Sequence, residues 1–317
     1  MSTVSSALPL SRLRLPDDRK HSIHHVTALA GCLRSCFFSP SSSAALALHI
    51  SSISQLVLPD LMSCGAVLES LRSSLNEDDG FECYPFRIGS YNNVVADPFL
   101  LDYAPDTMAV LVVNTPRMFD VSFRRWLVDK ADGGDHNDVA QIVPNPIQSF
   151  LTDRLDAAKE ALSYVSPFAI EIDTIHDYDM TPNRRPKILM CTCGHVAGAA
   201  YYYRPQMVPA LNSSSPKRMI GLSLHPRYGG NFAFRAAMVF PDLRLPADFV
   251  EPEPPHMLHS ENDVAKALDL FNNHWRDGRF RDCGDPKERY SKQQTDYFAR
   301  PPVERWEVIS DWFHSSE

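Results

Sequence analysis

The chain has 317 residues, 44% of them hydrophobic, which is enough for one or two domains around a sizeable core. Its 31 basic residues are outnumbered by 39 acidic ones, so the balance argues against binding nucleic-acid phosphates as the main task. No apolar run approaches the about 20 residues that cross a bilayer, since the best stretch, 44–62, is interrupted by His49, Gln55 and Asp60, and membrane insertion is not expected.

Residues 1–60 stand apart in composition, being serine-rich with Arg12, Arg14, Arg19 and Lys20 and few acids. They read as an unfolded N-terminal extension to one globular domain over 61–317. A mitochondrial presequence has similar composition and is the minor alternative to residence in the cytoplasm. Helical spacing begins at Leu61, with Ala66, Val67, Leu68, Leu71 and Leu75 on one face, and ends in the polar run 76–80. A strand is expected over 81–91 and a fully buried strand over 108–115. Amphipathic helices follow over 119–131 and 147–165, then an acid-bearing strand over 169–179. Two further strands, 219–224 and 232–240, flank His225-Pro-Arg-Tyr-Gly-Gly-Asn231 and are expected to form a hairpin. The proline-rich segment 241–255 reads as a surface crossing to a helical tail over 263–277, 286–300 and 302–313. Strands with segregated helices and no regular βαβ alternation indicate an α+β fold.

Seven cysteines, an odd number widely scattered, do not form a secreted disulfide pattern and point to a reducing compartment. Cys191-Thr-Cys193 is too tightly spaced for most structural zinc sites, so both read first as free thiols, with redox chemistry as the alternative. No dinucleotide, P-loop, zincin or hydrolase motif is present.

The stretch 182–203, PNRRPKILMCTCGHVAGAAYYY, concentrates a basic turn, two thiols, a histidine, small residues and three tyrosines. Small residues allow close backbone approach and tyrosines offer flat faces, so the stretch suits a large planar ligand. His195 amid small residues reads first as a structural histidine. Arg235 lies inside an apolar strand, FAFRAAMVF, where a guanidinium needs a carboxylate of the protein or of a ligand.

Taken together, PNRRPKIL, HVAGAAYYY, HPRYGGNFAFR, FNNHWRD, ERYS, FECYPFRIGSYN and NTPRMFD, with Pro301, Pro302 and Arg305, resemble the vitamin B12-processing MMACHC family over about residues 62–312. The resemblance implies a nitroreductase-like α+β fold, an antiparallel sheet flanked by helices with a C-terminal helical cap. It implies removal of the upper axial ligand of cobalamin: alkyl groups by transfer to glutathione, cyanide by reduction with FMN or FAD. A non-catalytic cobalamin chaperone is the alternative. Partners would be a type D (MMADHC-like) trafficking protein and methionine synthase. By motif, cobalamin would contact Asp177, Ile188, Leu189, Met190, Cys191, His195, Gly198, Tyr202, Tyr203, Arg204, Gly221, Ser223, Asn231 and Phe234. Arg235, Arg281 and Arg305 would hold glutathione and favour its thiolate. The cobalt would be held by the corrin; a bond from the imidazole of His195, in an HxxG pattern similar to that by which some cobalamin enzymes ligate cobalt, is the alternative to a structural role for that residue. The chain departs from the family at Asn231, in an aromatic position, at Arg204, and at Cys191 and Cys193. An Asn above the cobalt leaves room for water and oxygen, from which coupled oxidation of glutathione is expected.

Overall fold

The computed structural model of the chain describes residues 63–132, 134–164, 169–209 and 219–313; the extension expected over 1–60 lies outside them. The described strands are β1 (Phe81–Arg87), β2 (Thr107–Asn114), β3 (Asp173–His176), β4 (Tyr201–Tyr203), β5 (Leu222–Leu224) and β6 (Ala233–Arg244). An antiparallel sheet runs in the order β1-β2-β6-β3, and β4 and β5 pair separately. Strand β2 is buried at every position because both faces of the sheet are covered. Met108, Val110 and Val112 enter one apolar cluster, and Ala109, Leu111 and Val113 enter a second on the other face.

The first face is covered by α1 (Cys64–Ser74), α3 (Arg124–Ala131), α4 (His136–Ile142), α5 (Pro146–Leu162), α8 (Lys292–Ala299) and α9 (Arg305–Val308), while α2 (Ile88–Asn92) and α6 (Met190–Val196) serve the second. A third cluster packs β4 and β5 beneath α7 (Glu261–Asn273). Ser63, Ser260 and Ser291 cap α1, α7 and α8 by accepting a backbone N–H through their hydroxyls.

The α+β class read from the sequence is present; several boundaries differ for physical reasons. The strand expected over 81–91 stops at Arg87, because Gly89 lies against Pro105 closely enough that a Cβ would sit 2.7 Å from its carbonyl oxygen. Helix α4 went unexpected, since its seven residues bury only Val139 and leave little period to read. The strand expected over 169–179 shrinks to four residues on the sheet edge. The hairpin expected from 219–224 and 232–240 does not form: β5 pairs with β4, whereas β6 pairs with β2 and β3. Gly229, at φ +56°, and Gly230 tuck beneath the Arg281 backbone and turn the chain out of the plane of a hairpin. Strand β6 runs on through Pro241 to Arg244 by a bulge, which buries Leu243 and Leu245 where a surface crossing was expected. In the tail, Pro286 starts no helix; α8 begins six residues later behind the Ser291 cap.

Candidate functional site

The stretch singled out in the sequence forms a bed. Ile188 is buried in the second cluster, and the Leu189 N–H donates to the Tyr91 hydroxyl at 2.9 Å, which anchors the start of α6. Gly194 lies against Phe234 so closely that a Cβ would meet its ring at 2.3 Å. Tyr202 and Ser223 are direct cross-strand neighbours, so both side chains stand on one face of the β4–β5 pair. On that face Cys191 joins them, and Gly221 lies under the Tyr202 ring, 2.4 Å from where its Cβ would be. The Ser223 hydroxyl is buried beside Cys191 with no hydrogen bond of ordinary geometry, an unpaired polar atom that a ligand polar group would satisfy. Burial pushes the Cys191 thiol up, against a smaller opposing effect of Ser223.

Other expected contacts stand elsewhere. Tyr203 faces the opposite side, buried under α7, and its hydroxyl accepts the N–H groups of Met257 and Leu258 at 2.7 and 2.8 Å. It supports the bed from behind. His195 accepts the Tyr202 N–H through Nδ1 at 3.3 Å and meets Tyr201 edge-on at 4.9 Å. Burial, then the charge of Arg204, push its pKa down, which keeps a neutral ring suited to accepting at Nδ1. Gly198, at φ +77°, ends α6 against Pro252, and Arg204 is exposed at the end of β4. Cys193 is buried in the second cluster and its thiol is pushed strongly up by burial, so of these two thiols Cys191 is the one at the bed. Asn231, which the resemblance gives to the cobalamin site, is turned inward. It is 4% exposed, its amide donates to the carbonyls of Tyr228 and Arg281 at 3.0 and 3.1 Å, and its oxygen accepts from the Tyr290 N–H at 3.3 Å. The residue clamps the turn to the 280–290 segment.

Arg235 owes its placement to a bulge. Val112 faces Ala236 and Val113 faces Phe234, which leaves Arg235 as the extra residue in β6. Bulges re-aim side chains, and this one turns Phe234 toward α6 while Arg235 enters a cleft of about 220 Å³ together with Arg305, Asp177, Tyr178 and Tyr297. Arg235 Nε donates to Asn114, and its guanidinium lies 3.6 Å from the Asp177 carboxylate. Asp177, a residue the resemblance gives to the corrin, lines this cleft. Burial pushes its carboxyl up, with Arg235 and His176 opposing. Arg305 rests over the Tyr297 and Phe298 rings at 5.4 and 5.9 Å. Arg281 lines a neighbouring cleft beyond Tyr290, whose hydroxyl feels both Arg235 and Arg281. Its Nε is buried without an acceptor, and burial pushes its pKa down.

A buried polar network had no counterpart in the sequence reading. Glu82 on β1 accepts from the Tyr228 hydroxyl at 2.6 Å, from Tyr84, and from His225 Nε2 at 3.1 Å, while His225 Nδ1 accepts the Arg227 N–H at 3.1 Å. Burial alone would raise the Glu82 carboxyl; hydrogen bonds from His225, Tyr228 and Tyr84, with the His225 charge, outweigh it and hold it at about 2. The readable signal was Glu82 and Tyr84 two apart in a strand, on the same face as Phe86. Among the described residues no group of three or more His, Cys, Asp or Glu is placed to hold a metal ion, all five cysteines are free, and no helix is long and apolar enough to cross a membrane.

The small-residue bed and the arginine-lined cleft meet at consecutive residues of β6, Phe234 and Arg235. Residues 80–309 match the model of the methylmalonic aciduria and homocystinuria type C (MMACHC) family, and the chain belongs to that family. It is 49% identical over 249 residues to an MMACHC-like protein of Caenorhabditis elegans, covering 75% of this chain and 90% of that protein. It is 37% identical over 231 residues to the human cyanocobalamin reductase / alkylcobalamin dealkylase, covering 73% of this chain and 76% of the relative. The crystal structure of the C. elegans B12-trafficking protein CblC, a human MMACHC homologue, superposes with a TM-score of 0.73 at 46% identity, over 80% of this chain and 97% of that one.

Proposed function

We propose that this chain processes cobalamin, removing the upper axial ligand by glutathione-dependent dealkylation of alkylcobalamins and reductive decyanation of cyanocobalamin. The observation that carries the proposal is the β6 bulge, which gives consecutive residues to the two sites: Phe234 to the bed and Arg235 to the cleft. Relatives named for these two activities, at 36–38% identity, support the reading. The fold is inferred to be nitroreductase-like, from the resemblance of its motifs.

In dealkylation the sulfur of glutathione forms a bond to the alkyl carbon, the cobalt–carbon bond breaks, and its electron pair stays with the corrin as cob(I)alamin. The protein supplies proximity. Met190, Cys191, Tyr202 and Ser223 would flank the corrin, and the Ser223 hydroxyl would gain a partner. Arg235 and Arg305 would bind glutathione carboxylates, and the unpaired Nε of Arg281 fits a further acceptor. Neighbouring guanidinium charge favours the thiolate over the thiol. Reduced FMN or FAD would supply the electrons that take cobalt below its +3 state as cyanide leaves as an anion, and the bed suits a flat isoalloxazine as it suits a corrin. Dioxygen would take electrons from the reduced cobalt, and two glutathione thiolates, each losing one electron to the reoxidised cobalt, would couple as the disulfide; equal yields of disulfide with and without oxygen would reject that branch. The chain would act in the cytoplasm and hand cobalamin to an MMADHC-like protein and methionine synthase. The test is anaerobic incubation of methylcobalamin with the protein and glutathione. Loss of the methylcobalamin spectrum is expected; a lasting one rejects the enzyme in favour of a cobalamin carrier.

A further inference from the structure

The arginine cleft contains one charge of the wrong sign for a simple carboxylate trap. Asp177 lies 3.6 Å from the Arg235 guanidinium, beyond hydrogen-bonding distance, and its carboxylate is 31% exposed. Arg235 does not depend on it for a partner, because Nε already donates to Asn114. Nor is Asp177 loosely held: its own N–H donates to the Arg235 carbonyl at 3.0 Å, which fixes the carboxylate beside the bulge. Among the described residues no side chain donates a hydrogen bond of normal length to that carboxylate, so its acceptor capacity faces the cleft.

The pattern of charge around the cleft is therefore two guanidinium groups and one carboxylate. Its complement is a molecule with two carboxylates and one ammonium. Within that pattern, an acid and a base a few ångströms apart match an amino-acid end, where ammonium and carboxylate share one carbon. Glutathione carries that end on its γ-glutamyl residue and a lone carboxylate on its glycine. The cleft, at about 220 Å³, is smaller than the roughly 300–1,000 Å³ of whole-ligand pockets, so it holds one end of such a tripeptide.

We propose that Asp177 binds the α-ammonium of the γ-glutamyl residue while Arg235 takes the α-carboxylate beside it, making the cleft selective for zwitterionic γ-glutamyl thiols. The assignment rests on the reading of glutathione as co-substrate given above, and it makes Asp177 a specificity residue of that reaction. The other charged or titratable groups nearby are Arg305 and Tyr297 in the cleft and His176, stacked on Tyr178 at 4.9 Å; none of them supplies a second carboxylate.

The experiment compares glutathione with N-acetylglutathione, which lacks the ammonium, as alkyl acceptors from methylcobalamin without oxygen, with calorimetric Kd values for both thiols. For the unmodified protein the acetylated thiol is expected to show a KM and Kd about tenfold or more above glutathione, with kcat little changed. In Asp177→Asn the glutathione values rise to meet those of N-acetylglutathione, which stay where they were. A preference that survives Asp177→Asn overturns the proposal. So does a fall in KM for both thiols, since Asp177 would then only compete for Arg235. Turnover without discrimination also overturns it, while discrimination in Kd without turnover supports the Asp177 role and overturns the dealkylase reading instead.

Discussion

Replacing Glu82 by Gln tests the buried network that ties strand β1 to the 225–231 turn. The carboxyl falls from an ordinary 4.5 to about 2 on folding, which at 1.36 kcal/mol per pH unit contributes about 3 kcal/mol at neutral pH. With 11% of the side chain exposed, solvent screening removes little of that. Because the folded value lies below the unfolded one, the contribution is complete above about pH 4.5 and is lost as pH falls toward 2. Glu82→Gln keeps the shape but turns an N–H₂ toward groups that donate to the carboxylate. For a folded unit of this size, about 3 kcal/mol lowers Tm by roughly 6–12 °C. Calorimetric melting of both proteins between pH 7 and pH 3 reads the effect: a gap of that order at pH 7 that narrows below pH 4.5. A gap of equal size at pH 3, or none at pH 7, refutes the reasoning. Since Gly230 and Asn231 of the same turn donate to the Arg281 carbonyl, the variant also raises the KM for glutathione more than the Kd for cobalamin.

Removing the Arg235 guanidinium by Arg235→Gln deletes a charge-assisted contact of about 1.5–3 kcal/mol, so kcat/KM for glutathione falls about 10–100-fold while the spectrum of bound cobalamin is unchanged. In Gly194→Ala the new methyl meets the Phe234 ring at 2.3 Å and costs about 1–3 kcal/mol, and an absorbance titration shows weakened cobalamin binding; Gly65→Ala, with nothing nearer than 3.7 Å, leaves binding intact. An aromatic-disulfide thiol reagent reacts with Cys191 and is slowed by bound cobalamin, whereas Cys193 reacts only on unfolding because it is fully buried out of the reagent's reach. Peptide mapping of the labelled protein separates the two.

What the sequence made legible was whatever rests on local period or on long motifs. The all-apolar run of β2 and the face of α5 were plain, because burial on both sides or on one stripe writes itself into consecutive residues. The bed was readable for the same reason, its glycines and tyrosines being contiguous. Pairing was not: β5 joins β4 instead of β6 because Gly229 and Gly230 pack under Arg281, a residue far along the chain that no local pattern announces. The same holds for the roles of Asp177 and Asn231. A one-residue bulge decides that Arg235 and Asp177 share a cleft, and a tertiary contact with the 280–290 segment decides that Asn231 is a clamp. Glu82 was passed over because its partners, at 225 and 228, meet it only across the folded sheet.

The central claim is that sulfur held in the arginine cleft takes the alkyl group from cobalamin on the bed. Methylcobalamin with an isotopically labelled methyl group, incubated anaerobically with the protein and glutathione, reads it by mass spectrometry of the thiol. The account predicts one labelled S-methylglutathione for each methylcobalamin consumed, with the yield collapsing in Arg235→Gln. Loss of methylcobalamin without label on sulfur, or equal yields from both proteins, contradicts it.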